Sequence, residues 1–483
     1  MSAPHVTQRI NGKRPSQIRS ELETLAADRN FEHLLRLAND FLIYRPDDYV
    51  ALNYAGQANH ELKNYKAAEA CYLRAYNIYD KDPALCSNMG NLYQDMRDLD
   101  QAVYYCETAY KLSPDNPQII KNLANKHRER KEFETALKYY EMLRIIEKDD
   151  PDILFNIGLL HFYLMQPEKG SPFYEQRMLT DNYEFPDDWS IPEWDGKASL
   201  KNKTILILEE QGFGDTILFS RFLPKLIDKG ANIIFKCRKQ LHRLFEGFLC
   251  ELTEGKDKVI EQSNIDYYLS LASLANRFEP DWQKWPPPMP ISIAEQSKKR
   301  YDTIKNHTHN TLKIAISWSG NPEFSANDRR SVSYERFLHF ANTYPDIQFY
   351  SFIKGAGEND LVKYGSGTIT PLGHTFSDFS DTAAMLEHMD MIIMTDSALA
   401  HLGGSMDVPV LDLMDTFPYW IYFPEVATTP LYKSVRFNRQ TEANEWDPVF
   451  NKVHEILGAL QKLDYDIVNS ETILQTIDTY LQA

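Results

Sequence analysis

Four short segments of the sequence combine side chains that can hold an anion or move a proton. The first is Gln211-Gly212-Phe213-Gly214-Asp215-Thr216, with two glycines ahead of a carboxylate. The glycines permit a tight turn with exposed amides, and Asp215 sits where a helix begins. Two roles are open to Asp215: an N-cap, which the residues alone favour, or a general base taking a proton from a hydroxyl. The third glycine of a dinucleotide-binding turn is missing. The second segment runs Trp318-Ser319-Gly320-Asn321-Pro322, then Asn327-Asp328-Arg329-Arg330-Ser331. Its adjacent arginines suit phosphate oxygens, and equally a solvated loop with local ion pairs. The third, Lys354-Gly355-Ala356-Gly357-Glu358, offers a lysine to a diphosphate and glycines that free loop amides. The fourth runs from Met394 to Gly404, where Asp396 and Ser397 precede a helical pattern of small residues containing His401. Unpaired amides and the helix dipole favour a diphosphate there. Asp396 and Ser397 also suit plain capping, and His401 suits a satisfied core histidine.

Each segment follows a run that reads as a strand. TILILEE (204–210) precedes the first, and the helical pattern TILFSRFLPKLIDKG comes after it. ANIIFKC and DYYLSLASLA are further strand candidates, with RKQLHRLFEGF a helix between them. A proline-rich break, PDWQKWPPPMP (280–290), interrupts the alternation. Beyond 311, LKIAISWSG, IQFYSFIKG, MDMIIMTD and PVLDLMD read as strands. SYERFLHFANTY, DTAAMLEHM and SALAHLGGSMD read as helices among them, and 444–463 as a closing amphipathic helix. This alternation predicts two Rossmann-like α/β halves with parallel sheets. Ligands of such sheets bind beyond the carboxyl ends of the strands, where these four segments fall.

The first third of the chain repeats. Gly56, Gly90, Ala124 and Gly158 stand 34 residues apart, as do Ala68, Ala102, Ala136 and Gly170. Tyr72, Cys106, Tyr140 and Tyr174 form a third column, and Pro83, Pro114, Pro117 and Pro151 punctuate the junctions. Small columns let paired helices approach while the larger residue fills the remaining groove. The register resembles the tetratricopeptide repeat family over 49–82, 83–116 and 117–150, with a partial row from 151 and a degenerate row at about 15–48. Such pairs stack into a curved solenoid, and the resemblance implies a protein or peptide partner on its concave face.

Bulk properties narrow the function. The 483 residues are 43% hydrophobic and 25% charged, enough for several cores. A net charge of −17 argues against unspecific nucleic-acid binding. No run reaches the length of a membrane span and the N-terminus has no apolar signal region, so a cytoplasmic location is expected. The five cysteines form no CxxC pair and read as buried thiols.

The blocks PEWDG (192–196), EEQGFGDTILFSRFLP (209–224), ISWSGNPEFSANDRRS (316–331), FIKGAGE (352–358), FSDTAAMLEHMDMIIMTDSALAHLGG (379–404) and FPYW (417–420) stand in order. With the repeats, they resemble bacterial proteins that fuse tetratricopeptide repeats to a heptosyltransferase-like glycosyltransferase of GT-B architecture. The resemblance implies an all-α repeat solenoid over 1–180, an acceptor-side half over 181–300, and a nucleotide-sugar donor half with closing helices over 301–483. It implies Asp215 as the inverting base. Donor contacts would come from Gly212, Gly214, Arg330 or its neighbour Arg329, Lys354, Glu358, Asp396, Ser397 and His401. The implied reaction needs no metal or other cofactor. The repeats favour a protein acceptor, against a glycan or lipid-linked acceptor or a scaffold with an inactive transferase part. Ser397-Ala398 stands where the family often has Thr-Ala.

Overall fold

The computed structural model describes residues 12–180, 189–210, 212–254, 264–305, 311–322, 327–364, 367–417, 419–422 and 426–482. The chain divides into two compact units, Met1–Asn182 and Tyr183–Ala483.

The first unit is a helical repeat solenoid. Its pairs are α1 (Pro15–Ala27) with α2 (Phe31–Tyr44), α3 (Tyr49–Glu61) with α4 (Tyr65–Ile78), and α5 (Pro83–Asp95) with α6 (Leu99–Leu112). They continue as α7 (Pro117–Glu129) with α8 (Phe133–Ile146), and α9 (Pro151–Tyr163) with the short α10 (Pro167–Tyr174). The row at 15–48, expected to be degenerate, is thus a complete pair. Proline opens α5, α7 and α9 at the turn where its missing N–H costs nothing. Asp48, Asp82, Asn116 and Asp150 cap the first helices of their pairs.

The small columns do what their spacing implied. A Cβ added at Gly56 would lie 2.5 Å from the Tyr72 ring, and one at Gly158 would lie 2.7 Å from the Tyr174 backbone nitrogen. At Gly90 it would strike the Cys106 sulfur. Polar side chains set the register between repeats: the Asn88 amide donates to Asn53 Oδ1 (3.1 Å) and that of Asn122 to Ser87 Oγ (2.8 Å). The buried Lys126 ammonium donates to Asn91 Oδ1 at 2.7 Å and to Gln94. Arg29, Lys63, Arg97, Lys131 and Met165, again 34 apart, all take positive φ between 55° and 67° in the turn inside each pair. No glycine marks those turns, so sequence patterning passed over them.

The second unit holds two sheets. β1 (Thr204–Leu208), β2 (Asn232–Lys236), β3 (Glu251–Thr253) and β4 (Tyr267–Ser270) form a parallel sheet in the order β3-β2-β1-β4. Its helices are α11 (Phe213–Phe219), α12 (Leu223–Asp228), α13 (Lys239–Phe245) and α14 (Ser273–Phe278). The predicted long helix after β1 breaks into α11, a 3-10 turn (Ser220–Phe222) and α12, with Pro224 in the first turn of α12. The junction 192–196 is an extended piece along β4: Trp194 is fully buried and its amide donates to Tyr268 O at 3.0 Å.

The other strands are β5 (Lys313–Ser317), β6 (Gln348–Ser351), β7 (Ile369–Pro371), β8 (Met391–Thr395), β9 (Val410–Met414), β10 (Thr428–Thr429) and β11 (Tyr432–Arg439). Their order is β10-β11-β9-β8-β5-β6-β7, with only the β10–β11 pair antiparallel. The helices are α15 (Glu295–Lys305), α16 (Asn327–Arg330), α17 (Tyr334–Thr343), α18 (Ala356–Tyr364), α19 (Phe379–Leu386), α20 (Ala398–Ser405), α21 (Asp447–Leu460) and α22 (Ser470–Gln482). β5, β8 and β9 are buried at every position, as strands covered on both faces must be. Sequence alternation missed β3, β7, β10 and β11. The first three are two or three residues long, and β11 is broken by Lys433 and Arg436. The expected boundary at 300 falls inside α15, whose Ser297 Oγ donates to Asp381 Oδ1 on α19 (2.6 Å).

Candidate functional site

Strand order reverses between β5 and β8, with β6 and β7 to one side and β9 and β11 to the other. That reversal opens a crevice at the carboxyl ends of the two strands. Arg330, from α16 after β5, places Nη1 3.2 Å from Asp396 Oδ2, just beyond β8. Its guanidinium lies on Gly320, where an added Cβ would come within 2.5 Å of Nη2. Of the two candidate arginines, Arg330 is therefore the one at the crevice. Arg329 turns away and pairs with Asp415 at the end of β9 (3.1 Å). Ser397 caps α20, accepting from the Leu399 amide at 3.4 Å. Burial raises the Asp396 carboxyl above its ordinary range, while Arg330 and Arg439 pull it down.

Asp215 reaches the same region from the first sheet. Gly212 is the N-cap of α11, so the capping role that residue types favoured for Asp215 is not the one it has. Asp215 lies inside the first turn, and Tyr419 Oη donates to its Oδ1 at 3.1 Å. The two glycines were expected to cradle phosphate, and the structure gives them other work. Gly212 leaves room for the Asp215 carboxylate itself, 2.5 Å from where a Cβ would stand. Gly214 is where α11 meets α20: a Cβ there would lie 2.7 Å from the His401 ring and 3.4 Å from Ala398 Cα.

His401 packs at this contact, with both ring nitrogens facing tyrosine hydroxyls. It is 4% exposed, with Nε2 2.7 Å from Tyr422 Oη and Nδ1 3.1 Å from Tyr432 Oη. Burial pulls its pKa down to about 3, so the ring is neutral. A neutral imidazole donates from one ring nitrogen and accepts at the other, and the two tyrosine hydroxyls meet both. These tyrosines stand 21 and 31 residues beyond the histidine, a separation that local reading does not connect.

Lys354 and Glu358 sit at the next strand end. Lys354 Nζ donates to Phe376 O (2.7 Å), and Glu358 Oε1 meets His374 Nδ1 (2.9 Å). They adjoin the crevice through Trp318, whose Nε1 is 3.5 Å from the Cβ position of Gly357. Two arginines, Arg221 buried and Arg243 half-buried, tie the sheet layers together. Arg221 donates to Leu218 O (2.9 Å), Pro286 O (3.4 Å) and Leu431 O (3.2 Å). Arg243 of α13 forks onto Asp378 at 2.5 and 2.6 Å and reaches Asp381 at 3.2 Å. Among the described residues, no group of three or more His, Cys, Asp or Glu is placed to hold a metal ion. Nor is any described helix long and apolar enough to cross a membrane.

A family model of the tetratricopeptide repeat matches residues 93–154. The N-terminal unit carries tetratricopeptide repeats. Protein FlbA of Caulobacter vibrioides (strain ATCC 19089 / CIP 103742 / CB 15) is 21% identical over 292 residues, covering 54% of this chain. The match spans 47% of that protein's length. Among solved structures, YrrB, described as a TPR protein with an unusual peptide-binding site, is similar at 15% identity and a TM-score of 0.31. It covers 34% of this chain and 85% of its own. MamA is similar at 12% identity and a TM-score of 0.31, covering 35% and 96%.

Proposed function

We propose that the chain is an inverting glycosyltransferase of the GT-B type, using a nucleotide-sugar and acting on a protein hydroxyl recruited by the repeats. One observation carries the reading: a carboxylate on the helix after β1, Asp215, stands beside the α20 contact at the switch-point crevice that Arg330 and Asp396 line. That arrangement supplies a base on one side and an anion site on the other. Asp215 takes the proton of the acceptor hydroxyl as its oxygen attacks the anomeric carbon. The bond to the nucleoside diphosphate breaks in the same displacement, and the leaving phosphates collect against Arg330, Lys354 and the amides that open α20. Glu358, buried against His374 beyond β6, is the carboxylate this reading assigns to a nucleoside hydroxyl. Cations and amides supply the charge stabilisation in this scheme, with no metal or other cofactor. Recruitment of a protein by the repeats fits the general use of such arrays.

The test is stabilisation of the purified chain by UDP, GDP, ADP and CMP series, with turnover followed for the series that binds. A single series should raise the melting temperature, and Arg330→Ala should abolish the shift. Asp215→Asn should keep that shift and lose about 10²–10⁴-fold in turnover. Turnover within a few-fold of wild type would remove Asp215 from the mechanism.

A further inference from the structure

Asp412 lies in the middle of β9, opposite Met394 of β8. It is fully buried, and neither carboxylate oxygen has a hydrogen-bond partner. A buried carboxylate with no donor is among the costliest groups a core can hold, and a strand interior offers apolar residues of similar size at no such cost. Its electrostatic surroundings are specific. Asp396 on the loop after β8 is the neighbouring like charge, with Arg439 of β11 and Arg330 of α16 as the cations. Tyr422 hydrogen-bonds Asp396, and His401 on α20 is neutral, so neither supplies positive charge. Arg439 is engaged elsewhere too, donating to Tyr422 O at 2.7 Å. Burial and the Asp396 charge push Asp412 well above the carboxylate range, toward its protonated form. Asp396 keeps 19% of its side chain exposed and faces Arg330 Nη1 at 3.2 Å.

We propose that Asp396 and Asp412 act as one carboxylate pair, holding a single proton in the free protein and taking up a second when a phosphate group is seated on Arg330. The inference rests on reading Arg330 as a phosphate contact. Phosphate oxygens compete with Asp396 for the same guanidinium. As Arg330 turns to the ligand, Asp396 loses its nearest counter-charge and gains an anion beside it. Arg439 is then left as the cation for both carboxylates, and solvent supplies a proton to Asp396. Ligand and protein exchange no covalent bond in this step. Asp412 is a positioning residue here: by staying neutral it lets Asp396 remain charged, and so keeps Arg330 aimed into the crevice until the ligand arrives.

Calorimetric titration of the full chain with pyrophosphate, then with UDP, GDP and ADP, tests this at pH 7 in buffers of different ionisation enthalpy. Binding should take up about one proton per ligand. Asp396→Asn should abolish the uptake and bind several-fold more tightly, because the competitor for Arg330 is gone. Infrared spectra of the free chain should show a protonated carboxyl band that Asp412→Asn removes, and ligand should add a second band that Asp396→Asn removes. Binding without proton uptake, or a neutral-pH spectrum unchanged by Asp412→Asn, would overturn the pair while leaving the phosphate reading intact. Binding by none of these ligands would overturn the reading of Arg330, and the pair with it.

Discussion

A side chain that destabilises its own fold should reveal itself through pH, and Asp412 is such a side chain. In the unfolded chain it ionises near the usual carboxylate value of about 3.9, while burial and the Asp396 charge raise it well above that in the folded protein. The unfolded state therefore binds fewer protons between those two values, and stability falls as pH rises through that window. Asp412→Asn should flatten this slope. It should raise the melting temperature at pH 7 by about 2–4 °C per kcal/mol recovered, and leave it unchanged near pH 4. His401 acts at the other end: its depressed pKa costs nothing above about 6.5, and its share of stability is lost as pH falls below that. A Tyr432→Phe variant tests the network, since the Nδ1 partner goes and the aromatic contact at 5.8 Å stays. It should cost about 1 kcal/mol by denaturant melting. Asp396 and Arg330 could be found in the sequence because a strand end and a helix start announce where ligands gather. Asp412, Tyr422 and Arg439 could not. Their roles arise from pairing of β9 with β8 and from side-chain contacts made across long stretches of chain.

Elements carry a different kind of constraint. The helix pairs were legible because glycine and alanine columns record how closely two helices pack. The left-handed turn residues were not, because Arg, Lys and Met occupy positions that usually call for glycine. Lys63 is exposed in such a turn at φ 61°, so Lys63→Gly should relieve strain and stabilise the chain by about 0.5–1 kcal/mol in denaturant unfolding. Gly214→Ala should act in the opposite direction. Its methyl group would enter the His401 ring, and the cost of overpacking is about 1–3 kcal/mol. Because that contact sits beside Asp215, turnover should fall along with the melting temperature. A variant that loses stability and keeps full turnover would separate the α11–α20 contact from the chemistry. The two-glycine segment shows how type and role part company: the sequence pattern marked a turn, and tertiary packing decided that its glycines make room for protein atoms.

At the scale of the molecule, Met1–Asn182 and Tyr183–Ala483 are separate compact units. In the proposed scheme the repeats choose which acceptor is presented, and the α/β unit acts on it. Removing residues 1–182 should therefore leave nucleotide binding by the remaining unit intact. It should lower transfer to a protein acceptor far more than transfer to a small hydroxyl compound. Equal losses for both acceptors would show that the repeats serve the fold of the transferase part instead.

The close approach of α11 to α20 has a mechanical meaning. A helix after the first strand of one sheet rests, through a glycine, on the helix after the switch strand of the other. Because Gly214 brings no side chain to that face, the His401 ring packs directly on the α11 backbone. Phe213, its neighbour, rests on Phe379 of α19 with ring centroids 5.0 Å apart, so the same turn is gripped twice. Any side chain placed at 214 would therefore push Asp215 away from the α20 start.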